Sequence, residues 1–397
     1  MARGGRARRA QPAQELMDSV RLPQELIDAI IDEFDVSLTD IKNTRIFPDR
    51  NTLKSCALVS RAFVLPSQKK LFSIVTTLCA GWDGTPDERL RLFSKLLVSR
   101  PHIGQYVRTL TLAYRCARSK SLDYVLNSLP NLKTLLLHPW DELRGPNWDK
   151  PPEFPKHHRD SFIALFSQPS LRSLSLRKHQ FSNAFELQSL FSNSVGLEEL
   201  ELLHIKLADV SALDSPNGRP HSPRVVLKSL NLAGMSISVI DALLEGFTAV
   251  DISHLHSLCC DRFHPSLFQV ARTIRDLTLI ASTRQFAALY PEQSCLIPPS
   301  SLQSLSLIVD TLANVPLLIN RLGTLKATPT LKRISISSYL IGPSYLPQIE
   351  SLLLEASSLE DICINFRNNG AEIEAMIRAS LPTIDAKGIL KISFGKS

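Results

Sequence analysis

Along most of this chain one spacing of apolar positions recurs: apolar-x-x-apolar-x-apolar. Leu171, Leu174 and Leu176 form one copy. Others are Val107/Leu110/Leu112, Leu132/Leu135/Leu137, Leu197/Leu200/Leu202 and Leu227/Leu230/Leu232. Further copies are Phe247/Val250/Ile252, Ile274/Leu277/Leu279, Leu302/Leu305/Leu307, Leu331/Ile334/Ile336 and Leu359/Ile362/Ile364, and Leu390 with Ile392 is a truncated one. The central residues of successive full copies lie 20 to 39 positions apart, most of them 25 to 30. A period of that length predicts a solenoid. The last two apolar positions alternate with polar ones, so they point to one face of a short strand. One copy buries three aliphatic side chains at ~1.5–3 kcal/mol each. Ordering ~25 residues costs ~1–2 kcal/mol apiece, so only stacked copies sharing a core reach a favourable balance. Between the strands, Ile237/Ile240/Leu244 and Leu346/Ile349/Leu353 keep helical spacing. Strand then helix, repeated, requires parallel strands on one wall and helices on the other.

Upstream of the repeats the period changes. Leu22, Leu26, Ile27, Ile30, Ile31 and Phe34 fall on one wide helical face after Pro23, which suits a first helical turn. A polar stretch containing Asp40, Lys42, Asn43, Pro48 and Asp49 reads as a loop. Residues 51–63 read as a second helix, with Asn51 as its cap. A basic stretch then enters an apolar strand at 72–78. Leu90, Phe93 and Leu97 predict another helix, which Pro101 ends.

With 397 residues, 44% of them hydrophobic, the chain has material for a large core. Its net charge of +7 is concentrated at the start, where Arg3, Arg6, Arg8 and Arg9 supply four charges and leave about +3 for the remainder. That remainder is too small to argue for a nucleic-acid surface. The first fourteen residues lack apolar periodicity and predict a disordered tail; nuclear import, RNA contact or an organelle transit role would draw on the same arginines. No apolar run is long enough to span a bilayer. Seven scattered cysteines without a C-x-x-C pair read as reduced thiols, hence a cytoplasmic or nuclear protein.

The segment Leu22-Pro23-Gln24-Glu25-Leu26-Ile27, followed by Leu53-Lys54-Ser55-Cys56-Ala57-Leu58-Val59-Ser60-Arg61-Ala62-Phe63 and Leu71-Phe72, resembles an F-box, most closely those of the large fungal (basidiomycete-like) F-box families. The resemblance covers about residues 19–75. Two departures accompany it: a longer segment at roughly 35–50, and Phe63 where Trp is common. It implies docking to a Skp-family linker subunit, and through it a cullin, with Leu22, Pro23, Leu26, Ile27, Ile30, Leu58 and Val59 as the docking face. The repeats at about 107–394 are similar to leucine-rich repeats. They lack the Asn or Cys that family places three residues after the hexamer: His179, Ile205 and Met235 stand there in successive copies. Turn carbonyls are therefore expected to find other partners. The expected organisation is a disordered basic tail (1–18), a small all-α F-box domain (19–75) and an α/β leucine-rich-repeat-like horseshoe solenoid (76–397).

The longest gap between copies carries five prolines, Trp140, Arg144 and Trp148. Long insertions map to loops that often bind, so these residues and Trp82 are candidates for contacting a target protein; a loop folding back to cover the sheet edge is the structural alternative. His254, His256, Cys259, Cys260 and His264 are zinc-compatible types, but their spacing matches no finger and strand filler is the simpler reading. No nucleotide-binding, nucleophile-elbow or metalloprotease motif occurs. The expectation is a non-enzyme without cofactor or metal: a substrate-recognition adaptor of an SCF-type ubiquitin ligase. The alternative is a non-enzymatic repeat scaffold whose N-terminal helices act only as a cap.

Overall fold

A computed structural model describes residues 22–40, 43–77, 85–113, 116, 119–138, 153–154, 156–191, 194–209, 225–236, 239–240, 250–261, 273–281, 300–321, 328–340, 343–366 and 371–394. The chain divides into two compact units, Met1–Ile74 and Val75–Ser397.

In the first unit, α1 (Gln24–Asp32) follows Pro23 and turns Ile27 and Ile31 inward. Strands β1 (Asp35–Asp40) and β2 (Asn43–Pro48) then pair antiparallel, from Asp35↔Pro48 to Asp40↔Asn43. The expectation of an all-α domain with a loop here is thus corrected. The run Val36-Ser37-Leu38-Thr39 alternates with period 2 and is rich in β-branched residues, a strand signature hidden by its polar content. Helices α2 (Arg50–Val59) and α3 (Arg61–Leu71) replace the single helix expected at 51–63. The break is Ser60, extended at φ −158° and ψ 157°, whose hydroxyl accepts the Ala62 N–H at 3.1 Å. The cap of α2 is Asp49 rather than Asn51: its carboxylate accepts the Asn51 and Thr52 N–H groups and the Thr52 hydroxyl. Helix α3 packs against both α1 and α2.

The second unit is built on a twelve-stranded sheet whose strands follow chain order. It opens with β3 (Ile74–Thr76). Helix α4 (Pro86–Ser99) follows, buries Leu90, Phe93 and Leu97 as the spacing predicted, and gives way to a 3-10 turn at Pro101. Next come β4 (Thr109–Ala113), α5 (Leu122–Asn127), β5 (Thr134–His138), α6 (Arg159–Phe166) and β6 (Ser173–Arg177). They are followed by β7 (Gln180–Phe181), α7 (Ala184–Phe191), β8 (Glu199–Leu203) and β9 (Lys206–Leu207). Then β10 (Val225–Val226), β11 (Ser229–Leu232), β12 (Val250–Asp251), β13 (Ser257–Cys260) and β14 (Asp276–Ala281) occur. The chain ends with β15 (Ser304–Thr311), α8 (Asn314–Arg321), β16 (Arg333–Leu340), α9 (Leu346–Leu354), β17 (Asp361–Phe366), α10 (Ala371–Ser380), α11 (Pro382–Ala386) and β18 (Leu390–Phe394).

Register follows the apolar spacing. Leu110, Leu135, Leu174, Leu200 and Leu230 are successive partners across neighbouring parallel strands. Leu258, Leu277, Leu305, Ile334, Ile362 and Leu390 continue the row. All are buried. One rung differs from expectation: Leu258 of β13, not Val250, joins this row. Val250 lies on β12, which pairs with β10 in a separate two-stranded ribbon. Leu255, Leu258 and Cys260 satisfy the same spacing with a buried cysteine as third member, so pattern alone allowed either choice.

The missing side-chain ladder is replaced by backbone. At the entry to each strand of the long sheet from β5 to β17 two consecutive N–H groups donate to one carbonyl of the preceding rung. Arg172 and Ser173 donate to Lys133, Glu198 and Glu199 to Arg172, Lys228 and Ser229 to Glu198, and His256 and Ser257 to Lys228, all at 2.8–3.1 Å. The device continues to Glu360 and Asp361 on Lys332. At the other end of the strands Lys178, His204 and Gly234 adopt positive φ in successive rungs. The Lys178 N–H donates to Leu203 O, the His204 N–H to Ala233 O and the Gly234 N–H to the Asp261 carboxylate. An ideal Cβ on Gly234 would lie 2.0 Å from His204 Nδ1, so this turn needs glycine for space as well as for φ.

Candidate functional site

Two surfaces stand out, the first of them carrying residues singled out by the sequence. On the first unit, Leu22, Leu26 and Ile30 are 46, 51 and 41% exposed, Leu58 and Val59 are 88 and 74% exposed, and Pro23 is exposed. Ile27, placed on this face by the resemblance, is instead 3% exposed. It lies one residue, about 100°, round the helix from Leu26, and with Ile31 it forms the inward edge of the apolar arc. The remaining six sequence candidates are open to solvent. Leu65 on α3, 48% exposed, adds an apolar residue that no motif position had marked. Leu26 and Ile30, four residues apart, share one face of α1, and apolar side chains exposed together are the usual mark of a protein-binding surface.

On the second unit, Ser173, Ser175, Glu199, Glu201, Ser229, Asn231, Asp276, Thr278, Ser304, Ser306, Arg333 and Ser335 alternate with the buried row and so occupy the opposite sheet face. Charges pair across rungs, both at the strand entries and on this face. Glu198 lies 2.9 Å from Arg172 and 2.7 Å from Lys228, and the Lys228 ammonium above all holds its carboxyl below the usual range. Arg177 reaches Glu201 at 3.2 Å, Lys332 reaches Glu360 at 2.8 Å and Lys391 reaches Asp361 at 2.9 Å. Toward β18, Asn365 donates to the Ser335 and Ser337 hydroxyls and accepts from Cys363 and Ser393. This face is polar and hydrogen-bonding, and it carries charges of both signs.

The target-binding candidates Trp82, Trp140, Arg144 and Trp148 lie outside the described residues. The returning end of their insertion is described, and it folds back. Phe154 is buried, stacks on Phe181 at 5.1 Å and meets Phe162 at 5.2 Å, and its N–H donates to Gln180 O. His158 is buried beside it in sequence, with Nδ1 2.8 Å from Asp123 Oδ1. The same carboxylate oxygen accepts the Ser161 hydroxyl at 2.6 Å. Burial pushes Asp123 up, but the bonds from Ser161 and His158 outweigh it and leave the group below its ordinary value. No sequence motif marks this trio, because His158 and Ser161 lie 35 and 38 residues from Asp123. Serine and imidazole both bond the carboxylate, so the hydroxyl is not activated by the imidazole and the trio ties α5 to α6.

Among the described residues no three His, Cys, Asp or Glu side chains come together as a metal site. Cys259 and Cys260 sit on opposite faces of β13, with Cys260 fully buried, and His264 lies outside the described residues. His179 is 1% exposed in the aromatic cluster with Phe154, and burial pushes its imidazole down to about 4. No helix among the described residues is long and apolar enough to cross a membrane.

These features define a mixed α/β chain with a long parallel sheet and a smaller, mainly helical unit presenting exposed apolar residues. No protein-family model matches the chain. No curated protein matches it either. Among solved structures, a structural-genomics protein from Bacteroides fragilis is similar over 79% of this chain and 84% of its own, at 13% identity and a TM-score of 0.36.

Proposed function

We propose that this chain is the substrate-recognition adaptor of an SCF-type ubiquitin ligase. Residues 19–75 act as an F-box that docks on a Skp-family linker subunit, and residues 76–397 form a leucine-rich-repeat-type solenoid that holds the target protein. The observation carrying the proposal is the outward edge of the N-terminal helices: Leu22, Leu26, Ile30, Leu58 and Val59 face solvent where the F-box resemblance places the linker contact. The unbroken in-register row of buried leucines and isoleucines supports the solenoid reading. An adaptor of this kind needs no reacting group of its own, because it contributes proximity. Reduced cysteines fit cytoplasm or nucleus.

The test is co-expression with a Skp-family linker subunit, followed by pull-down and size-exclusion chromatography. The wild-type chain is expected to co-elute stoichiometrically. Leu26→Asp/Ile30→Asp changes two exposed positions, spares the core and is expected to abolish the complex; losing two interface anchors weakens binding at least ~30-fold. Folded wild-type chain that never co-elutes would refute the adaptor function and leave a repeat scaffold.

A further inference from the structure

The strand entries of β4, β5 and β6 differ in charge from those further along the sheet. Residues 99–113, 127–138 and 167–177 run through the loops that enter these strands and through the strands themselves, and they contain no Asp or Glu. They place an exposed cation at each entry: Arg108, Lys133 and Arg172. Backbone bonds stack the three in a column, because Lys133 N–H donates to Arg108 O and Arg172 N–H to Lys133 O, both at 2.8 Å. Neighbouring rungs lie ~4.8 Å apart, so the column spans ~10 Å. Later rungs insert acids into the same column: Glu198 stands between Arg172 and Lys228, and Glu360 follows Lys332. Like charges on adjoining rungs repel, and for Arg108 and Lys133 no carboxylate among the described residues offsets that repulsion. Arg172 is only partly offset, since Glu198 serves two cations at once.

The loops that carry this column are tied to one another. Asn131 Nδ2 donates to Gln105 O at 3.0 Å, and the Ser170 hydroxyl donates to Pro130 O at 3.1 Å. A Cβ on Gly104 would stand 2.1 Å from Ser128 O, so the first two loops touch through their backbones. The guanidinium groups are held too. Arg108 Nη1 donates to Asn131 O at 3.1 Å and Arg172 Nη1 to Gly196 O at 3.2 Å, each on the loop of the next rung. One such bond leaves further guanidinium N–H groups to meet a carboxylate, and side chains already held lose little freedom on binding. Charge complementarity selects an acidic partner, and the length of the column selects its kind. In an extended peptide, residues i and i+3 lie ~10 Å apart, which matches the column. A nucleic acid held by roughly 6–10 phosphate contacts needs a longer basic surface.

We infer that the strand-entry edge of β4–β6, through Arg108, Lys133 and Arg172, binds an extended acidic segment of the target protein, with Asp or Glu clustered in a window of about four residues. The inference rests on the proposed role of the sheet-bearing unit as a target receptor, and names the chemistry of the segment it holds.

The experiment selects a random peptide display library on the full-length chain and measures the recovered peptides by fluorescence anisotropy. The expected result is Asp and Glu enriched within a short window, with binding that weakens at least about fivefold between about 50 and about 300 mM salt. Arg108→Glu/Lys133→Glu should weaken these peptides at least about tenfold and should bind versions whose acids are changed to Lys, a reciprocal swap that a merely structural role does not produce. Lys133→Gln, a milder change at an exposed side chain, should weaken binding at least about threefold, and it decides the matter if the double variant fails to fold. Lys332→Glu lies seven strands along the sheet from Lys133, roughly 30 Å away and well beyond the screening length, and should leave binding unchanged. Peptides without acidic enrichment, binding indifferent to the Arg108 and Lys133 variants, or failure to recover any binder would each overturn the inference. So would a single-stranded oligothymidine that binds wild type more tightly than the peptides do. Linker pull-down depends on residues in 19–75, so a chain that docks normally but shows no acidic preference would refute this edge while leaving the adaptor function standing.

Discussion

Replacing His179 with Phe should remove a large part of the acid sensitivity of the second unit. His179 follows the positive-φ residue Lys178, at the position where a regular repeat would carry Asn. Its ring is 1% exposed and 6.1 Å from that of Phe154. Burial lowers its pKa from 6.5 to about 4, against the opposing pull of a hydrogen bond to the Arg177 backbone. The sign follows from proton counts. Between pH 6.5 and about 4 the unfolded chain binds this proton and the folded chain does not, so stability falls as pH falls across that window. Below about 4 both states are protonated and the loss is complete. A shift of that size corresponds to at most about 3 kcal/mol. Guanidinium unfolding followed by circular dichroism at pH 7.5, 5.5 and 4 measures it. Wild type should lose up to about 3 kcal/mol more than His179→Phe across that range. Any offset at pH 7.5 reports only how well Phe fits beside Phe154. Parallel curves for the two proteins would refute the reasoning, since the buried imidazole would then not resist protonation.

Three further outcomes are expected. Ile27→Ala should destabilise the first unit by about 2–5 kcal/mol, while Leu58→Ala should change it by less than about 0.5 kcal/mol; thermal melts of the two variants would separate core from docking face, and equal effects would reverse the assignment. Gly234→Ala forces an L-residue to φ +74° and should cost about 1–2 kcal/mol for the backbone alone; His204→Ala in the same chain should recover only the steric part, because its ring is what a Cβ would strike. Cys116 is fully buried and its thiol is pushed up to about 11 by burial, so iodoacetamide at pH 8 should label the half-buried Cys56 long before Cys116, as peptide mass mapping would show.

The register of the long sheet was written in the sequence because each strand carries its own two-residue alternation, anchored by an apolar residue three positions before its centre. The physics that buries Leu174 is local to its copy. Where two copies competed, pattern alone could not choose. Val250 and Leu258 both satisfy the spacing, and the outcome depends on which backbone meets β11, a contact made across 28 residues. The same limit explains Ile27. An arc from Leu22 to Phe34 is wide enough to have two edges, and only the packing of α3 onto α1 decides which edge turns inward. The hairpin of β1 and β2 was obscured for a different reason: its alternation is real but diluted by Asp, Asn and Arg, which composition assigns to loops.

The pairing of charges bears on how this face would discriminate. Arg172, Glu198 and Lys228, then Lys332 with Glu360 and Lys391 with Asp361, tie neighbouring rungs at their exposed rims. Such exposed pairs contribute no more than about 1 kcal/mol each, so the sheet is held by its buried leucine row and by the repeated backbone carbonyl at each strand entry. What the pairs do accomplish is cancellation. Acids and bases paired at these rims cancel locally, so the pairs add little field to steer a charged partner from a distance. Selectivity on such a face has to come from short-range complementarity, where one unmatched hydrogen bond in a dry cleft discriminates more sharply than one more methylene does.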